Sequence, residues 1–209
     1  MSTSVADVTT KLVEPGASPV GLILASASPR RLDLLGQIGV TPSAIIPADI
    51  NETPFDRELP KAHAERLAHE KAAKVAESKS GNLILAADTV VAVGKRILPK
   101  AEDERTAREC LALLSGRRHK VISGISLILP CGKQLTKSVS TVVAFKRLSH
   151  EDTERYITSG EWDGKAGGYA IQGLGATFVR FISGSYSNVV GLPLFEVGGW
   201  LNAHMETHP

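Results

Sequence analysis

The chain has little of what a secreted, membrane-spanning or nucleic-acid-coating protein needs. It holds two cysteines, Cys110 and Cys131, in 209 residues. They have no metal-ligand spacing and no partner pattern, which excludes a disulfide scaffold and points to free thiols in a reducing compartment. No apolar run approaches the ~18 residues of a membrane span. Residues 1–20 lack the charged-then-apolar order of a secretion signal and read as a flexible tail. The cytoplasm is therefore the expected location, with an organelle address in that tail left open. The net charge of +2 is too balanced for a nucleic-acid coat. His63, His69, His119 and His150 are scattered without the spacing of a zinc site. A P-loop, a nucleophile elbow and an internal repeat are also missing.

What is present belongs to a soluble globular protein: 43% hydrophobic and 22% charged residues, over a length that supports one sizeable core. The apolar run Gly21-Leu22-Ile23-Leu24 passes into Ala25-Ser26-Ala27-Ser28-Pro29-Arg30-Arg31. It reads as strand, tight loop and helix start, with Pro29 at the first helical position, where its missing N–H costs nothing. Free N–H groups of that helix end, Ser26, Ser28 and two guanidinium groups are expected to converge on a many-oxygened anion such as a phosphate chain.

Further along, the pattern predicts a short strand over 41–48 and an amphipathic helix over 60–79, stopped by Gly81. Residues 82–93 read as a strand pair or a bent strand interrupted by Asp88. A helix follows over 102–114, with Asp103 and Glu104 in its first turn. A hairpin is expected from 120–129 and 135–145. Ser149-His150-Glu151-Asp152 has the form of a capping box opening a helix that Gly160 closes. A strand over 177–182 and a C-terminal helix opened by Leu192-Pro193 complete one α/β domain, 21–209.

Asp88 lies between two apolar runs, where a carboxylate is costly to bury unless it meets a cation or a metal; a turn or salt-bridged aspartate is the plainer alternative. Glu52, Lys71 and Lys100 each read, taken alone, as solvated charges. Gln172 sits in Gly-Tyr-Ala-Ile-Gln-Gly, where glycines allow close approach and the carboxamide offers both donor and acceptor.

Taken together, these segments resemble the Maf family of nucleoside triphosphate pyrophosphatases. The resemblance runs from Leu22–Arg31 through Glu52-Thr53-Pro54, Arg66–Ala72, Ala86–Val90 and Leu98-Pro99-Lys100. It continues through Leu114-Ser115-Gly116, Lys165–Gly173, Gly184-Ser185-Tyr186 and Val190–Leu194, in order and over all but the first twenty or so residues. It implies an α/β fold, an elongated mixed β-sheet flanked by helices, with two lobes about a central cleft, as in inosine triphosphatase-like proteins. It implies a hydrolase that uses a divalent metal, Mg²⁺ or Mn²⁺, to cut a nucleoside triphosphate into monophosphate and pyrophosphate. Asp88 takes the proton-acceptor position, and Glu52 and Asp88 the metal. Ser28, Arg30, Arg31, Lys71, Thr89, Lys100 and Gln172 fall at substrate-binding positions.

In the branch of the family acting on 7-methyl-GTP, positions 30, 89 and 172 are tryptophan, glutamine and glutamate. Arg30, Thr89 and Gln172 therefore resemble the branch acting on dTTP and UTP, and the amide suits the O4/N3–H edge of a pyrimidine. Two departures stand out: Asn51 replaces the acid that commonly precedes Glu52, and Ala101 the proline that often follows Lys100. A nucleotide-binding regulator of cell division is the alternative class. Neither nucleic acid nor membrane is an expected partner, and a homodimer is left open.

Overall fold

The computed structural model describes residues 21–205; the tail read over 1–20 lies outside them. A fully buried first strand, β1 (Leu22–Ala25), leads directly into α1 (Pro29–Gln37). A two-residue β2 (Ala44–Ile45), shorter than the segment predicted, pairs parallel with β1. After α2 (Pro60–Ala76) comes β3 (Leu83–Val93), then β4 (Arg96–Leu98), β5 (Lys100–Ala101) and α3 (Glu104–Leu114). The long hairpin β6 (Arg118–Ile128) and β7 (Gln134–Phe145) precedes α4 (His150–Ser159), β8 (Lys165–Ala166) and β9 (Val179–Ser183). The described chain ends with α5 (Tyr186–Val190) and α6 (Leu194–His204).

Seven strands form a mixed sheet in the order β2-β1-β3-β6-β7-β9, with β4 also on β3; β5 and β8 make a separate antiparallel pair. Alternation along β3 assigns its two faces. Leu83, Leu85, Ala87 and Val91 join the large core with residues of α1, α3, α4 and α6. Ile84 and Ala86 pack with Ala72 and Val75 of α2 on the other face, and Val90 packs with Ala64. Asp88 shares the parity of this second set and so faces α2. It does not interrupt the strand as predicted: β3 runs unbroken, with Asp88 opposite Gly124 of β6. A charge in an apolar run signals a break only when nothing meets it, and here α2 brings a lysine.

That approach depends on a missing side chain. A Cβ on Gly124 would lie 2.0 Å from the Ala64 carbonyl oxygen, so α2 can lie this close to the sheet only over glycine. On the other edge of β3, β1 pairs only with Leu83–Ala86 and β4 only with Val91–Val93. Residues 87–90 fall between them, beside the β1–α1 loop. This is the crevice at strand carboxyl ends where open α/β sheets place ligands.

Several boundaries differ from expectation. Asp103 is the N-cap of α3, accepting from the Thr106 N–H at 2.7 Å, rather than a first-turn residue. α2 stops at Ala76, ahead of Gly81. A 3₁₀ turn over Gly173–Phe178 occupies the start of the strand predicted at 177, and α5 was not predicted. The capping box at Ser149 is present as read, and Gly160 closes α4 in the left-handed conformation.

Candidate active site

A cavity of about 450 Å³ opens beside that stretch of β3. One wall is the loop 25–31, the opposite wall is 163–172, and Glu52, Lys71, Asp88, Thr89, Lys100 and Gly191 complete the lining. All eight residues singled out as substrate-binding or catalytic therefore line one space, with Glu52 beside them.

Its electrostatic centre is Lys71. One turn after Leu67, α2 carries Lys71 into the interior, 7% exposed, where Nζ lies 2.6 Å from Glu52 Oε1 and 2.7 Å from Asp88 Oδ1. Lys100, on β5, donates to the second Glu52 oxygen. Two ammonium groups thus sit between and beside two carboxylates. Burial works to raise the Glu52 carboxyl, but hydrogen bonds from Lys100 and Lys71, and their charges, prevail and bring it down to about 2.

Arg31 is fixed from three directions. Its Nε donates to the Gly191 carbonyl at 2.9 Å, Nη1 to Ser26 Oγ at 2.9 Å, and Nη2 to Thr89 Oγ1 at 3.4 Å. Burial lowers its pKa; the Asp88 charge raises it, Arg30 lowers it and Glu52 raises it, so all four charges share one field. Arg30 is half-buried, and neither arginine is salt-bridged to a carboxylate among the described residues. Thr89 is less free than the sequence suggests, because its hydroxyl also lies 2.9 Å from Ser123 Oγ.

The helix end is likewise less open than predicted. The Ser28 N–H donates to Ser26 Oγ at 3.2 Å, and the Arg31 N–H to the Ser28 carbonyl at 3.2 Å. Ser28 is the N-cap but makes no capping bond with its side chain, so its hydroxyl is uncommitted to the helix.

The opposite wall is clamped from behind. The Ala170 N–H donates to Tyr156 Oη at 3.0 Å, the Leu174 N–H to Glu161 Oε2 at 2.8 Å, and His119 Nε2 lies 2.8 Å from Tyr169 Oη. Gly167 has φ 66°, and a Cβ there would stand 2.8 Å from a Val91 methyl. Gln172 is exposed at the rim. Lys165, which the sequence reading did not single out, also lines this wall; burial and the Arg30 charge lower its pKa. Nothing in the local pattern around Lys165 or Gly191 announces a site; only the block order of Lys165–Gly173 and Val190–Leu194 does.

A family model described as Maf-like protein matches residues 21–204. The chain belongs to this family. Among Maf-like relatives, a dTTP/UTP pyrophosphatase of Paramagnetospirillum magneticum is 62% identical over 181 residues, 87% of this chain and 95% of the relative. One of Caulobacter vibrioides, with the same name, is 58% identical over 180 residues, 86% of this chain and 93% of the relative. A crystal structure of a nucleoside-triphosphatase / dITP/XTP pyrophosphatase from Mycobacterium abscessus aligns with 61% of this Maf-like chain and 75% of its own. It is 19% identical, with a TM-score of 0.41. Among the described residues of the Maf-like chain, no helix is long and apolar enough to cross a membrane.

Proposed function

We propose that this chain hydrolyses nucleoside triphosphates between the α- and β-phosphates, with dTTP and UTP preferred. Water supplies the oxygen that replaces the bridging one, and a nucleoside monophosphate and pyrophosphate leave. The observation that carries this reading is the Glu52–Lys71–Asp88 triple inside a cavity that also holds Arg31. The names of relatives 62% and 58% identical over most of the chain support the same activity and the pyrimidine preference.

Phosphoryl transfer asks chiefly for positioning and charge neutralisation. Arg30, Arg31 and Lys100 offset the charge of the polyphosphate, and the Ser28 hydroxyl donates to one of its oxygens. Asp88 accepts the proton of the attacking water, oriented by Lys71. Gln172 reads the O4/N3–H edge of the base through its paired donor and acceptor.

Among the described residues, no group of three or more His, Cys, Asp or Glu could hold a metal ion. The Lys71 ammonium fills the position between Glu52 and Asp88, so a divalent cation would bind through these two carboxylates together with the substrate. Mg²⁺ is commonly held by one or two carboxylates together with substrate phosphates. Glu52 and Asp88 would hold it; when bound, such an ion neutralises charge on the phosphates.

Pyrophosphate release from dTTP, UTP, CTP, GTP and 7-methyl-GTP, each with Mg²⁺ or Mn²⁺, tests the reading. The expected order places dTTP and UTP first. The Asp88→Asn protein is expected to stay folded and to lose at least about nine-tenths of kcat, as a missing general base would require. Release from none of the nucleotides, with binding retained, favours a nucleotide-binding regulator instead.

A further inference from the structure

Glu52 stands in a long stretch without regular structure: residues 46–59 carry neither helix nor strand. A carboxylate on such a segment holds its place only if something restrains the backbone, because each free residue costs roughly 1–2 kcal/mol to order. Beyond the ion pairs that Lys71 and Lys100 make with Glu52 itself, one guanidinium restrains the segment. Arg66 of α2 donates from Nε to Glu58 Oε1 at 2.7 Å and from Nη2 to Glu58 Oε2 at 2.8 Å. The same Nη2 donates to the carbonyl of Thr53 at 3.2 Å, one residue after Glu52. Its Cζ lies 3.9 Å above the Phe55 ring, and Nη1 reaches Glu70.

Glu58 closes the bracket from the loop side. Its Oε2 accepts from the Phe55 N–H at 3.0 Å and lies 2.8 Å from His63 Nδ1. The Glu58 side chain is 8% exposed and that of Arg66 15%, a buried pair out of reach of bulk screening. Between Phe55 and Glu58, Arg57 has φ 55°, the one positive φ outside glycine among the described residues. Such a conformation persists where its surroundings over-determine it. None of these contacts reaches the cavity lining itself; they end on the residue next to Glu52.

We propose that Arg66 and Glu58 are positioning residues: they clamp the segment carrying Glu52 onto α2, the helix that also carries Lys71, and so fix the Glu52 carboxylate beside Lys71 and Lys100. This rests on the hydrolytic reading given above. A planar fork that grips a carboxylate and a carbonyl together is not reproduced by any smaller group.

Two measurements on the full-length protein test the clamp. Backbone amide exchange over residues 52–57 is expected to rise about tenfold or more in Arg66→Ala, as local opening becomes easier, while β3 and β6 keep their protection. For dTTP, the loss is expected in kcat rather than KM, by about a hundredfold for a misplaced charge. In a Glu52→Ala background the Arg66→Ala change should then cost almost nothing more, since residues acting through one another are not additive. Glu58→Gln, which keeps the side chain's size, carries the same test if Arg66→Ala fails to fold. Unchanged exchange over 52–57, or losses that multiply in the Glu52→Ala background, overturns the clamp. An unaltered protein that hydrolyses no nucleotide overturns the functional reading instead, and the exchange result still decides the clamp.

Discussion

Lys71 and Asp88 illustrate how little a residue's own chemistry says about its role until its partners are known. A lysine beside a glutamate on an amphipathic helix is ordinarily a solvated charge, and so it read in the sequence. In the fold it is buried, held by carboxylates from a loop and a strand. Replacing Lys71 by Met leaves the buried Asp88 without its ion-pair partner, while Glu52 keeps only Lys100. Breaking a buried pair from one side typically costs about 3–5 kcal/mol. Lys71→Met is therefore expected to lower stability by about 3 kcal/mol and to abolish turnover, whereas Asp88→Asn, which leaves Lys71 its bond to Glu52, should cost far less. Urea midpoints of the two variants check this; equal losses would show that the pair is not the source of the difference.

At the scale of elements, the site depends on α2 resting directly on β6. Gly124 makes that contact possible, its Cα facing the Ala64 carbonyl across the gap a side chain would fill. Gly124→Ala demands a backbone shift of helix or strand, and overpacking of this kind costs about 1–3 kcal/mol or more. The helix would lift away from Asp88, so kcat should fall even at temperatures where the variant is fully folded. A variant as active as the unaltered protein would show that α2 can yield without moving Lys71. Elements were also where the sequence was most legible. Periodicity located the hairpin, and the Ser149 box and Gly160 marked both ends of α4. It failed where a distant partner decides the outcome. β3 is continuous because Lys71, 17 residues earlier, meets its charge. α5 is only five residues long, and its cap at Ser185 and its buried Asn188, bonded to Val121 and Thr141, owe their places to strands far away in sequence. The site residues themselves were found through block order, since singly each had a plainer explanation.

For the whole molecule, the buried titratable groups set a dependence on acid. Burial pushes His119 down to about 4, from an ordinary value of 6.5. Between those values the unfolded chain takes up a proton that the folded chain refuses, so stability falls as the pH falls through that window. Hydrogen bonds from Arg66 hold Glu58 down to about 2 against the opposing effect of burial, and Glu52 lies equally low. Their contribution is present above about 4.5 and is lost as the pH drops toward 2. Unfolding free energy is therefore expected to decline from pH 6.5 downward in two stages. His119→Gln, which keeps a donor for the Tyr169 hydroxyl but cannot titrate, should flatten the first stage by on the order of 2–3 kcal/mol and leave the second. Denaturant titrations at several pH values read both stages, and an unaltered first stage in His119→Gln would remove His119 as its source.

The salt bridges around Lys71 bear on how a substrate first arrives. Before any nucleotide enters, Glu52 and Asp88 already cancel Lys71 and Lys100 within the protein. The surplus positive potential of the cavity then belongs to Arg30, Arg31 and Lys165, so capture of an anion is governed by these three cations and is weakened by dissolved salt. Lys71 and Lys100 take hold only after the incoming phosphates have rearranged these internal ion pairs, which separates the speed of encounter from the strength of the final grip.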